Sequence, residues 1–217
     1  MNTQFRVLVL ALAFASLAAA GQNAPAQSGV PAPAPAPIPK PLLPYTSCDF
    51  PDSLRVVEVD RVDPSVTSRT VETASGTQRI DLLSGVRVLF AYPLTDIFAN
   101  AAVELLPPDR YAAEKKILLA NIAYLESRPH GPMRAEALPV GLHGFEVHGD
   151  DYYKLEGSVL GMYLLFDDPA HVVTTIHFLN QEAWQRKFQT IDQYGRLRDN
   201  FLRNYTGCIR ENQAIDK

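Results

Sequence analysis

The sequence predicts an α+β fold: a mostly antiparallel sheet with two main helices packed on it. Three observations carry this. Between residues 54 and 106, and again between 136 and 179, short runs rich in Val, Ile, Leu, Thr, Phe and Tyr alternate with Gly, Pro, Ser and Asp, as strands joined by tight turns do. At Tyr111, Leu118, Ile122 and Leu125, and again after Asn180, the apolar spacing changes to that of one helix face. Consecutive strands with short connections pair antiparallel, and helices then cover the sheet.

Taken in order, residues 1–20 carry one charge, Arg6, ahead of the apolar run Val7 to Ala20, which ends in Ala18-Ala19-Ala20. That is the pattern of a secretory signal peptide, cleaved after Ala20. The run is short for a span of roughly 20 residues, so membrane attachment is expected only if the signal stays uncleaved. Residues 21–44 include the Pro-Ala alternation from Pro31 to Pro37, and proline cannot donate to a helix or ladder. They read as a disordered, polyproline-like linker. A single α+β domain is expected over 45–210, with 211–217 as a tail.

Within that domain the first strand is Leu54 to Asp60, and Asp63 to Gln78 reads as loop or a weak edge strand. Arg79 to Leu83, Val86 to Tyr92 and Phe98 to Leu106 are strands, and Pro107-Pro108 stops the last. An amphipathic helix of about four turns starts near Tyr111 and ends before Pro129. Glu136 to His148 is expected as a strand with a turn or bulge at Gly141–Gly144, and Gly149-Asp150-Asp151 as a turn. A hairpin follows, Ser158 to Phe166 and His171 to Leu179, turning at Asp167-Asp168-Pro169-Ala170. Asn180 is placed to cap the final helix, whose stripe is Trp184, Phe188 and Ile191. Gly195 and Arg198 interrupt the stripe, which predicts a kink or break before Phe201, Leu202 and Tyr205 resume it.

This order of strands, helix, strands and helix, with Trp184 early in the last helix, resembles the PsbP-like fold family over roughly residues 86–202. That family spans photosystem II extrinsic proteins, a nuclear Ran-binding protein and periplasmic lipoproteins of the DcrB type. The resemblance implies a module that binds partners, and it brings no shared catalytic residues to place here. The chain departs from the lipoprotein members in having no cysteine for lipid attachment near the signal.

With 20 basic and 24 acidic side chains, net −4, and no Lys/Arg run, the chain is not built for nucleic acid or an anionic membrane. Its two cysteines, Cys48 and Cys208, lie at the edges of the predicted domain. In an exported chain they read as a disulfide.

The five histidines, His143 and His148 among them, follow no zinc spacing, and the pairs Asp150-Asp151 and Asp167-Asp168 lack the alternation of a calcium loop. Both Asp pairs are assigned turn duty, because Asp bonds local backbone. No metal or cofactor is expected. Gly157-Ser158-Val159-Leu160-Gly161 sets its serine one position too early for a nucleophile elbow, and no phosphate-binding glycine loop occurs.

With no catalytic motif, the expectation is a non-enzymatic accessory or binding module, exported to the periplasm or beyond, that meets an unidentified protein partner. Tyr152 and Tyr153, aromatics beside a polar turn, are the candidate partner surface. The alternative is a small-ligand carrier with a pocket between helices and sheet, for which His177 is the candidate pocket residue.

Overall fold

The computed structural model describes residues 37–50, 53–56, 68–95, 97–127, 142–151, 159–180 and 191–215, all in the unit Pro37–Lys217. The signal peptide, most of the linker, the tyrosines at 152 and 153, Trp184 and Phe188 lie outside these residues. Asn180, expected to cap the final helix, is the last residue of the strand Val172–Asn180, and its side-chain amide is buried without a hydrogen-bond partner, so it makes no cap.

A 3-10 turn Lys40–Leu42 leads into α1 (Leu43–Thr46) and β1 (Leu54–Val56). Then come β2 (Ser68–Thr73), β3 (Gly76–Asp81), β4 (Ser84–Tyr92), β5 (Ile97–Leu105) and α2 (Tyr111–Glu126). β6 (Glu146–Asp151), β7 (Val159–Asp167), β8 (Val172–Asn180) and α3 (Ile191–Ile215) complete the order. Among the described residues the main sheet has six antiparallel strands in the order β1-β4-β5-β8-β7-β6, and β2 and β3 form a separate hairpin. The α+β class is therefore the observed one.

Side chains alternate across a strand, so register fixes which residues share a face. On the first face Val86, Val88 and Phe90 of β4, Ala99, Ala101 and Val103 of β5, and Ile176 and Phe178 of β8 form a core with Phe201, Leu202, Tyr205 and Ile209 of α3. On the second face Met162, Leu164 and Phe166 of β7 and Val173 of β8 join Leu118 and Ile122 of α2 and Val71 and Ile80 of the hairpin. Strand β7 is buried on both faces, which is why Leu160 to Phe166 reads as a continuous apolar run.

Four more expectations are corrected. Residues 40–44 are not linker: the stretch 40–46 is helical, and Leu42, Pro44 and Tyr45 are buried, in a compact unit that begins at Pro37. The leading prolines occupy the first positions of these short helices, where a missing N–H costs nothing. At the other end the helix continues to Ile215, because Asn212 donates to the Pro44 carbonyl (3.1 Å) and Gln213 to Asp167 (2.8 Å).

Gly149 to Asp151 is not a turn but the end of β6, paired with Met162 and Tyr163. Glycine is required there because a Cβ would sit 2.2 Å from the Tyr163 ring. Finally, α3 runs unbroken through Gly195 and Arg198. Arg198 faces inward to a carboxylate, so it belongs to the buried stripe rather than interrupting it.

Candidate functional site

The disulfide predicted from Cys48 and Cys208 is formed, with Cα atoms 5.9 Å apart and 160 residues between them. It ties the leading segment, residues 37–50, across α3. Tyr205 reinforces the seam by donating to the Tyr45 carbonyl at 2.9 Å. Phe50 packs edge-on against Phe201 and Tyr205, with centroids 5.7 and 6.4 Å apart. This pinned segment forms one wall of two grooves.

The first groove, about 510 Å³, is lined by Lys40, Pro41 and Pro44 on one side and by Asp167, Arg210 and Gln213 on the other. Its floor is a buried acid. Asp167 accepts from Tyr45 Oη (2.5 Å), from Arg210 Nη1 at both oxygens (2.8 Å) and from Gln213 Nε2 (2.8 Å). Arg210 is fixed in turn by Nε donating to the His143 carbonyl (2.9 Å) and by the Phe145 ring 4.0 Å from its guanidinium carbon. Burial and the Asp167 charge push the Tyr45 hydroxyl well above the usual tyrosine range. Each oxygen of Asp167 accepts at least one donor, so this carboxylate clamps the leading segment to the sheet.

The second groove, about 380 Å³, lies between the same segment and the β4–β5 turn. Phe50, Tyr92, Leu94, Leu197 and Phe201 give it apolar walls, and Thr95, Asn200 and Asn204 give it polar edges. Its described lining carries no charge. Leu94 stands on its rim, 83% exposed.

A second buried acid closes the other end of the first face. Asp151 accepts at Oδ1 from Tyr163 (2.6 Å) and Tyr194 (2.8 Å), and at Oδ2 from Arg198 Nη1. Burial pushes the Asp151 carboxyl above the ordinary range, and Arg198 and the two hydroxyls oppose that shift. Across the second face Lys115 of α2 joins Asp168 (2.8 Å) and Glu146 (2.6 Å). The Lys115 and His148 hydrogen bonds hold Glu146 below its usual range; at Asp168 the opposing effect of burial is outweighed by Lys115 and Tyr111.

Of the residues singled out from sequence, Cys48 and Cys208 are brought together. His177 stands half-buried on the second face directly opposite Asn100. Its imidazole is held below the usual histidine range by burial and by the nearby charges of Arg69 and Arg87. His143 takes a left-handed turn conformation (φ 50°), whereas His148 sits on β6 against Glu146 at 2.6 Å, so the two do not converge. Among the described residues no group of three or more His, Cys, Asp or Glu is gathered to hold a metal ion.

Sequence reasoning missed Asp151 and Asp167, which it placed in turns. Only Asp168 of the four opens one, the 3-10 turn Asp168–Ala170. The available signal was Arg198, spaced with Tyr194, Phe201, Leu202 and Tyr205 on one helix face; an arginine there needs an acid opposite. No family model, curated protein or solved structure matches the chain.

Proposed function

We propose that the protein is an exported, non-enzymatic binding module that works through protein contact in the periplasm or cell envelope, on a PsbP-like framework. The observation that carries this reading is the second groove. An exposed apolar side chain on the rim of a pocket with aromatic walls is the kind of surface that marks an interaction site. Leu94 meets that description, and the disulfide keeps Phe50 in the opposite wall. Export is supported by the bonded cysteines, since structural disulfides persist in oxidising compartments. A role without catalysis is supported by Asp151 and Asp167, whose carboxylates are committed to tyrosine and arginine donors.

The test is photo-crosslinking from position 94 in an envelope fraction, with a second probe at Leu83, exposed at the other end of β4. One protein captured from position 94 alone, and no longer retained by Leu94→Asp, is the expected result. Equal capture from both positions, or none, would sink the reading.

The second reading, a small-ligand carrier with a pocket between helices and sheet, is favoured by polar atoms buried without partners beside His177.

A further inference from the structure

Helix α3 supplies one side of the second groove. Residues three and four apart on a helix are surface neighbours, so Leu197 and Phe201 form an inner ridge, and Arg196, Asn200 and Asn204 form the next one out. Leu197, Phe201 and both asparagines line the groove. Arg196 stands one turn ahead of Asn200 on the outer ridge, and Arg203 follows Asn200 by three positions. The ridge that gives the groove its polar edge is therefore flanked by two guanidiniums.

Both arginines are exposed, and among the described residues neither makes an ion pair. The acids nearest to them in sequence do not answer them. Asp199, three positions after Arg196 and four before Arg203, is bonded to Arg198 at 2.8 Å. Asp192, four positions before Arg196, is not paired with it, and Asp49, next to Phe50 in the opposite wall, has an interaction of its own. The α3 edge is therefore cationic. The walls inside it are not. Phe50 and Phe201 are aromatic, and Leu94 stands 83% exposed on the rim. At about 380 Å³ the cavity is near the lower end of ligand sites, about 300–1,000 Å³, so it suits one compact apolar group.

We propose that the second groove takes an acidic protein segment, which seats one large apolar side chain between Phe50, Leu94 and Phe201 while its flanking Asp or Glu carboxylates meet Arg196 and Arg203. Asn200 and Asn204 lie between the two contacts, and a side-chain amide both donates and accepts, so it matches either polar group of a peptide bond. A basic segment meets like charge at both arginines, and an acidic segment without an apolar side chain leaves the walls uncovered. Charges on a rim steer and select a partner more than they hold it, so the apolar anchor carries the affinity. This inference rests on the binding-module reading and gives the partner its chemistry.

The test uses the purified full chain with its disulfide intact and three fluorescein-labelled peptides, followed by polarisation. The first is Gly-Glu-Asp-Phe-Leu-Asp-Glu-Gly, the second has lysine in place of every acid, and the third has serine there. The acidic peptide is expected to bind one per chain, the serine peptide about three- to tenfold more weakly, and the lysine peptide at least about tenfold more weakly. Leu94→Ser should weaken the acidic and serine peptides alike. Arg196→Gln combined with Arg203→Gln should weaken the acidic peptide alone, to the level of the serine peptide, and remove its dependence on salt. All three replaced side chains are exposed, so the urea midpoints should match that of the unchanged chain, and lost binding then cannot be lost folding. A lysine peptide that binds as tightly as the acidic one, or a double-arginine variant that binds like the unchanged chain, would overturn the proposal. Equal binding of the serine peptide, weakened by Leu94→Ser, refutes the acid and keeps the groove as an interface. A stable dimer in sedimentation that Leu94→Ser dissolves makes a second copy the occupant and refutes the acidic partner. No peptide bound refutes this inference, and the cross-link from position 94 then decides the module reading separately.

Discussion

Replacing Arg198 by methionine would take away the guanidinium that bonds Asp151 Oδ2 while the carboxylate stays buried. The two side chains are 3% and 4% exposed, so water cannot take over the role of the guanidinium. Removing one partner of a buried pair costs about 3–5 kcal/mol. With a urea dependence of about 2 kcal/mol per molar, a loss of about 4 kcal/mol lowers the unfolding midpoint by about 2 M. The diagnostic step is a second substitution. Tyr163 and Tyr194 both donate to Oδ1 of Asp151, an oxygen that asparagine also carries. Asp151→Asn in the Arg198→Met background removes the buried charge and keeps both bonds, so it should recover about 2 kcal/mol.

Acid should partly rescue Arg198→Met for the same reason. Burial already raises the Asp151 carboxyl, and without Arg198 that shift grows. The folded state then holds a proton that the unfolded chain releases near pH 4, so stability falls as pH rises from about 4 through the folded value. Urea unfolding followed by circular dichroism at pH 4.5 and 8 measures all of this. A single variant within about 1 kcal/mol of the unchanged chain, or a double variant weaker than Arg198→Met, would refute the reasoning.

Gly195→Ala should stabilise α3 by about 0.5–1 kcal/mol in the same assay, since among the described residues its Cβ would meet just Arg198 Nη2, at 3.9 Å. Gly149→Ala should cost at least about 1–3 kcal/mol, because its Cβ would drive the Tyr163 ring out of the Asp151 network. Replacing Cys48 and Cys208 together by alanine is expected to lower stability by about 2–4 kcal/mol, below the chain-entropy limit of about 5 for a loop this long, read by thermal unfolding without reductant. His177→Gln should flatten the pH dependence of stability below neutrality. The folded imidazole titrates below its unfolded value, so the unchanged chain keeps this contribution above about pH 6.5 and loses it as pH falls through the folded value. Parallel stability profiles for the two chains between pH 7 and 5 would contradict that assignment.

By itself the sequence determined what depends on near neighbours. The helix Tyr111–Glu126 and the hairpin Val159–Asn180 were legible because one side of a helix and alternate faces of a strand impose fixed periods on apolar residues. The cysteine pair was legible because two thiols in a chain whose first residues read as a secretory signal have few other uses. Only the tertiary structure decided what the polar residues do. Asp151 looked like a turn residue, and Arg198 like a break, until 47 positions of chain folded them together. Asp167 and Arg210 meet across 43. Asn100, Thr175 and His177 became one polar patch only when β5 paired with β8. Charges and hydrogen bonds join whatever the fold brings within about 3 Å, and no local period marks that encounter in the chain.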